Sequence, residues 1–184
     1  MPGRYREGFG CRGGKSDGNF KSFLDPVLAQ GSESIAFQAS FKGKGIGSSA
    51  DTGLFYRPDG GALGLLVRES ANPPGTSSSV RWKKFVSLAL PDGNTGPLFH
   101  ATVSGSGVNA GNDAGVWAMD SDGAIRLLFR EGDTIDGRKL MSFTVLNSIA
   151  GNRGVTRSFN SVAEVVWRAT FRDRSTAVVV TSVP

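Results

Sequence analysis

Apolar and polar residues alternate along the chain in short runs, and turn-forming residues separate the runs. Pro58–Gly61 and Asp120–Gly123 are two such turn segments, rich in Gly and Asp. A two-residue alternation is typical of half-buried β-strands, and Gly and Asp tolerate the positive φ that tight hairpin turns need. No segment shows a sustained 3.6-residue period with helix caps. The pattern therefore predicts an all-β protein with little helix.

The strand pattern repeats along the chain, which is the signature of a repeat architecture. The landmark of the repeat recurs at an offset of 62 residues, as Arg6-Glu7-Gly8, Arg68-Glu69-Ser70 and Arg130-Glu131-Gly132. A second landmark is a strand of the form aromatic-x-Ala-Ser/Thr, which begins at Phe37, Phe99 and Trp167. Because several landmarks recur in the same order, we predict about three tandem units of roughly 60 residues.

Each unit is predicted to contain four short antiparallel strands. The first strands surround Phe23, Phe85 and Phe143, and the second strand of the first unit is Ile35–Phe41. The third strands are Gly53–Tyr56, Gly115–Met119 and Ala177–Thr181, and the fourth are Leu63–Arg68 and Ile125–Arg130. This divides the chain into a partial unit (1–20), unit 1 (21–76), unit 2 (77–137) and unit 3 (138–184), which lacks its own fourth strand. The segment Tyr5-Arg6-Glu7 reads as the end of a fourth strand, so the N-terminal segment is a candidate to complete unit 3.

The fourth strands are apolar on both faces, which predicts stacking of one sheet on the next. In simple alternation, Ile125, Leu127 and Phe129 share one face and Leu128 takes the other. Four-stranded antiparallel units stacked face to face are the build of a β-propeller, and an open β-repeat stack is the alternative. In either case we expect Phe37, Phe99 and Trp167 to occupy equivalent buried positions.

The segment Asn160–Trp167 resembles the NxxGxxAF tandem repeat of bacterial surface or secreted proteins. The equivalent segments are Gln30–Phe37 and Asp92–Phe99, and the motif glycine is replaced by Glu33, Thr95 and Ala163. The resemblance covers nearly the whole chain after about residue 20. It implies a propeller-type β-repeat without an established catalytic activity. It also implies an extracytoplasmic location, although the first twenty residues show no apolar signal-peptide region.

Composition and charge exclude several classes of function. The net charge is +5, but acidic residues interrupt each basic cluster, which favours a solvated mixed surface over a nucleic-acid interface. One His and one Cys exclude an internal disulfide and most zinc sites. No apolar run approaches the ~18 residues of a membrane-spanning helix. We therefore predict no cofactor, no metal, no nucleic acid and no membrane span.

Three sequence matches to known sites are interpreted as loops or surface positions. Gly8–Gly13 matches GxGxxG, and Gly14-Lys15-Ser16 ends a near-match to a Walker A loop, but no helix pattern follows either. The Gly105–Asn112 loop is interpreted as a turn, with an irregular calcium site as the alternative. His100 is expected to face solvent like its equivalents Gln38 and Arg168, and Cys11 is interpreted as a loop thiol without a partner.

The repeated arginines are the one constellation that suggests a ligand. Arg6, Arg68 and Arg130 occupy the same point of successive units, and symmetric guanidinium groups could hold anionic groups bidentately. The alternative is that each Arg has a structural partner. We predict a non-enzymatic scaffold or binding module that takes an anionic or carbohydrate ligand and self-associates as a dimer through its edges or end faces. The alternatives are a fragment of a longer exported repeat protein and a hydrolase with a site at the centre of a ring.

Overall fold

The computed structural model describes residues 19–29, 31–91, 96–146, 159–160 and 162–184. Every regular element in these ranges is a β-strand, which confirms the predicted all-β class. The strands of the first two units are β1 (Asn19–Leu28), β2 (Ile35–Lys42), β3 (Thr52–Arg57), β4 (Gly64–Arg68), β5 (Arg81–Ala89), β6 (Leu98–Ser104), β7 (Ala114–Met119) and β8 (Ile125–Arg130). The remaining strands are β9 (Thr134–Ile135), β10 (Arg138–Thr144), β11 (Glu164–Phe171) and β12 (Thr176–Ser182).

The strands form three four-stranded antiparallel sheets that follow one another along the chain. Sheet 1 has the order β1-β2-β3-β4, sheet 2 has β5-β6-β7-β8, and sheet 3 has β12-β11-β10-β9. The third sheet departs from the other two, because the short β9 pairs with β10 rather than with β12. Among the described residues, β12 is therefore an edge strand where sheets 1 and 2 have a fourth strand.

The residue register repeats from sheet to sheet. Phe23, Phe85 and Phe143, in the first strands, pair with Ala39, Ala101 and Ala169, and each of these alanines is fully buried. The small alanine side chain leaves room for the aromatic rings on either side of it. In the third strand, the residue that pairs with this alanine is Gly53 in sheet 1, Gly115 in sheet 2 and Ala177 in sheet 3.

Each sheet presents an aromatic-rich face to the sheet before it. In sheet 2 this face contains Trp82, Phe85, Phe99 and Trp117, which form one core with Ala36 and Leu54 of sheet 1. In sheet 3 the equivalent face packs on the opposite side of sheet 2, where the rings of Trp167 and Phe129 stack with centroids 3.8 Å apart. The three sheets are therefore stacked in chain order, an arrangement consistent with consecutive propeller blades.

A β-bulge in each fourth strand changes the predicted alternation. The register shifts between Leu54 and Phe55 in sheet 1 and between Val116 and Trp117 in sheet 2, which leaves an extra residue on the fourth strand. As a result, Leu127 joins the core toward sheet 1, whereas Leu128 and Phe129 both join the core toward sheet 3. The predicted face shared by Leu127 and Phe129 was wrong, because simple alternation ignores the bulge.

Within the described residues, the two ends of the stack are exposed to solvent. Phe99 and Trp167 are buried as predicted, but Phe37 is only half-buried because no described sheet covers the aromatic face of sheet 1. At the other end, Val178 and Val180 of sheet 3 are 76% and 59% exposed. The described residues thus form an open stack of three sheets. The predicted completion of unit 3 by Tyr5-Arg6-Glu7 lies outside the described residues.

Candidate functional site

The repeated Arg-Glu-Gly/Ser segment joins one sheet to the next. The Arg68 side chain donates from Nε to the carbonyl of Ala50 at 2.7 Å, and Arg130 donates in the same way to the carbonyl of Asn112. Both carbonyls belong to the loop between the second and third strands of the same sheet. Each arginine therefore attaches that loop to the end of the fourth strand.

The residue after each Glu turns the chain into the next sheet. Ser70 and Gly132 have φ of 64° and 85°, in the left-handed region. Their backbone N–H groups donate to Trp82 and Leu140 in the first strand of the following sheet, at 3.0 and 2.9 Å. The motif thus forms a structural connection between successive sheets.

The structure assigns local partners to the predicted anion-binding arginines. Arg68 also lies over the ring of Phe41, 4.8 Å from its centroid, within cation–π range. Arg68 and Arg130 lie at successive connections, each bound to the loop of its own sheet, and Arg6 lies outside the described residues. The symmetric three-arginine site stays a prediction.

A polar cleft of about 270 Å³ opens beside Arg130, between the ends of sheets 2 and 3. Its walls combine three cations, two carboxylates and two amides. The lining residues are Asn109, Gly111, Asn112, Arg130, Glu131, Gly132, Asp133, Lys139 and Arg172. Sheet 2 supplies Arg130 and its loop, and sheet 3 supplies Lys139 and Arg172. The cleft therefore exists only because the two sheets are stacked.

Internal hydrogen bonds shape the loop that forms one wall of the cleft. The Asn112 side chain accepts from the N–H of Asn109 at 2.7 Å, and Asn109 accepts from the N–H of Gly111 at 2.9 Å. Burial and the neighbouring Asp113 raise the pKa of the Glu131 carboxyl. Three cations and two carboxylates line the cleft, and the neighbouring Asp113 offsets part of this positive balance.

Two of the cations in the cleft were not predicted from the sequence. Lys139 and Arg172 come from a different unit than Arg130, and the position equivalent to Arg172 in unit 2 is Ser104. Because the equivalent in unit 1 is Lys42, the position is not constant between units, and the repeat comparison does not mark Arg172 as part of a recurring site. Only the stacking of sheet 3 on sheet 2 brings it beside Arg130.

The Asp120–Gly123 turn is held by backbone N–H groups and by Arg126. The Asp120 carboxylate accepts from the N–H groups of Asp122 and Ala124 and from Arg126 Nε at 2.7 Å. The hydrogen bond from Arg126 lowers the pKa of the Asp120 carboxyl. Across the described part of the chain, no group of His, Cys, Asp and Glu side chains is arranged to hold a metal ion. The GxGxxG and Walker-like matches and Cys11 lie outside that part.

The prediction that His100 faces solvent was wrong. The His100 ring lies between sheets 2 and 3, with its centroid 5.0 Å from that of Phe143, and its Nε2 is buried without a hydrogen-bond partner in the described structure. Burial lowers the pKa of His100 below its usual 6.5. Gln38, its equivalent in sheet 1, is also half-buried, whereas Arg168 is exposed because no sheet in the described part of the chain covers that face of sheet 3.

The lowered pKa of His100 makes stability depend on pH. Below pH 6.5 the unfolded chain binds a proton at His100 that the folded chain does not, so stability rises with pH in this window. We expect His100→Gln to remove the loss that develops as the pH falls from 7 through the lowered pKa. Urea unfolding at pH 7 and pH 5 gives the change in the free energy of unfolding between the two pH values, and this change should be smaller in the variant than in the wild type. Equal changes would show that the pKa of His100 is not lowered in the folded protein.

The fold and this cleft define the chain as an all-β repeat protein of stacked four-stranded sheets. Over residues 6–184 it matches the model of a family described as "Family of unknown function (DUF7453)", and it belongs to that family. Comparison with curated proteins and with solved structures gave no match. Within the described residues, no helix is long and apolar enough to cross a membrane.

Proposed function

We propose that the protein is a non-enzymatic β-repeat binding module, and that the cleft between sheets 2 and 3 binds an anionic ligand such as an acidic carbohydrate. The observation that supports this is the convergence of Arg130, Lys139 and Arg172 from two sheets on one polar cleft. Guanidinium groups bind carboxylates and sulfates through charge-assisted, often bidentate hydrogen bonds. The Asn109 and Asn112 amides hold their own loop, and each keeps further donor and acceptor capacity that suits the hydroxyl groups of a sugar.

The chemistry of the cleft supports binding rather than catalysis. General acid–base catalysis needs a positioned group whose pKa lies near the working pH. His100 faces Phe143 in the apolar layer between the sheets and does not line the cleft. The Asp133 carboxylate accepts from the backbone N–H of Arg130 at 2.7 Å, which ties it to the turn. Glu131 lines the cleft with a raised pKa, but among the described residues neither an imidazole nor a thiol lines the cleft beside it. We therefore expect no turnover of glycosides or esters in an activity screen.

Titration with an oligogalacturonate, followed by calorimetry, tests the binding proposal. We expect saturable binding that weakens with salt, and no binding of a neutral maltooligosaccharide of the same length. Arg172→Ala should weaken binding by about tenfold or more, since one charge-assisted hydrogen bond contributes about 1.5–3 kcal/mol.

Lys83→Ala is the matched control for Arg172→Ala. It removes one positive charge from an exposed position of β5, outside the cleft, so net charge falls equally in both variants. Equal weakening by the two variants would mean that net charge attracts the oligosaccharide and that the cleft is not its site. Absence of binding, or turnover of glycosides or esters, would contradict the proposal.

A further inference from the structure

The outer face of sheet 1 is an exposed cluster of aromatic rings. We name it the aromatic end face, and it consists of Phe20, Phe23, Phe37, Phe41 and Leu65, which lie around the buried Phe55. Phe37 and Phe55 stack with centroids 5.4 Å apart, and Phe23 lies 5.6 Å from Phe37. Phe23 is nevertheless 61% exposed and Leu65 is 40% exposed. Contiguous exposed apolar patches of this kind mark interaction surfaces.

The outer face of sheet 3 is exposed and apolar as well. This valine end face consists of Val166, Val178 and Val180, with Arg168 between them in the strand register. All three valines are more than a third exposed. β-branched side chains on a flat sheet face are a packing surface of the kind that another sheet covers.

The equivalent residues of the other sheets show which kind of surface packs against each end face. Val166, Val178 and Val180 occupy the positions of Leu98, Val116 and Ala118 in sheet 2, which are fully buried against sheet 3. The same positions in sheet 1 are Ala36, Leu54 and Tyr56, which pack against sheet 2. Every face of the valine type inside the molecule is thus covered by an aromatic-rich face of the next sheet.

We propose that the aromatic end face of one copy of the chain packs on the valine end face of a second copy, head to tail. The contact would repeat the two sheet–sheet interfaces already present inside each copy. Such a contact joins two different surfaces, so it closes into a ring when the rotation permits. Two copies would form a ring of six sheets, within the usual propeller range of about 4–8 blades.

The equivalence of repeat positions also predicts one cation–π pair across the proposed contact. Inside the molecule, His100 of sheet 2 meets the ring of Phe143 of sheet 3. The equivalent residues at the proposed contact are Arg168 of one copy and Phe23 of the other. A guanidinium group over a Phe ring is a favourable cation–π contact, so the exposed Arg168 has a partner in the assembly.

Light scattering on the purified 184-residue chain tests the association, and two lysine variants test its direction. We expect a mass of about twice 19.3 kDa at micromolar concentration. Phe23→Lys blocks the aromatic end face, and Val178→Lys blocks the valine end face. Each variant alone should be monomeric, since every head-to-tail contact then includes a blocked face and a buried, unpaired ammonium group is strongly unfavourable.

Mixing the two variants distinguishes head-to-tail from like-to-like packing. The mixture keeps one intact contact, between the aromatic end face of the Val178→Lys copy and the valine end face of the Phe23→Lys copy, so dimers should return. In like-to-like packing, one of the variants would remain dimeric by itself. That result, or a wild-type monomer at micromolar concentration, would overturn the proposal.

Val86→Lys is the matched control for both lysine variants. Val86 is an exposed valine on sheet 2, 42% exposed, and belongs to neither end face. It adds the same charge and should leave the dimer intact. Circular dichroism melts at low concentration show whether each variant folds, since substitutions at exposed positions rarely unfold a domain. Loss of the dimer in Val86→Lys as well would overturn the assignment to the end faces.

Discussion

Phe99→Ala is expected to lower the free energy of unfolding by about 3–5 kcal/mol, the range for removing a fully buried Phe side chain. Phe99 lies in the middle sheet with no exposed surface. Its ring is 5.6 Å from that of Trp82 and 6.0 Å from that of Phe85, and it stacks on Trp117 at 6.4 Å. Because these rings also cover Ala36 and Leu54, the resulting cavity would open the core between sheets 1 and 2.

Phe37→Ala is the matched control, since Phe37 occupies the same repeat position in sheet 1. Its ring is half-buried in the aromatic end face, so its removal should lower stability by only about 1–2 kcal/mol. Urea unfolding below the concentration at which copies associate measures both values. Equal losses for the two variants would show that the outer face of sheet 1 is covered in the monomer.

The comparison of Phe37 with Phe99 shows how far a repeat can be predicted from sequence. The shared pattern around both residues predicts the strand, its neighbours and the face that the ring occupies, because these depend on local alternation. Burial depends on what covers that face. The end of a stack is not marked by any residue in the strand itself, so the same pattern gives a buried ring in sheet 2 and a half-exposed ring in sheet 1.

The candidate site, too, could be predicted from the sequence only in part. Arg130 could be singled out because it repeats, and both it and Arg68 donate to a loop carbonyl of their own sheet. Arg172 could not be singled out, because it lies where the other units have Ser104 or Lys42 and becomes part of the cleft only by stacking. Repeated residues in this protein build the connections between sheets, whereas the residues that distinguish one junction from another are unique to it.

In sheets 1 and 2, a glycine near the start of the third strand lies close to the fourth strand, and the sequence alone does not predict this close contact. A Cβ on Gly115 would lie 2.8 Å from the Trp117 ring and 3.1 Å from the carbonyl oxygen of Phe129. A Cβ on Gly53 would meet Leu65 and the carbonyl of Val67 in the same way, at 2.7 and 2.9 Å. Both carbonyls belong to the bulged fourth strand. Sheet 3 has no described fourth strand beside β12, and there the position is Ala177.

Gly115→Ala is therefore expected to destabilise the protein by about 1–3 kcal/mol, the range for overpacking a well-packed core. The added methyl group can be accommodated only if the buried Trp117 ring moves or the β7–β8 pairing widens at the bulge. Gly64→Ala is the control, because a Cβ there meets no atom within 4 Å. Since Ala restricts the unfolded chain more than Gly does, Gly64→Ala should be neutral or stabilising by up to about 1 kcal/mol. Thermal and urea unfolding of both variants measure the difference, and a neutral Gly115→Ala would mean that the fourth strand approaches β7 less closely than the structure shows.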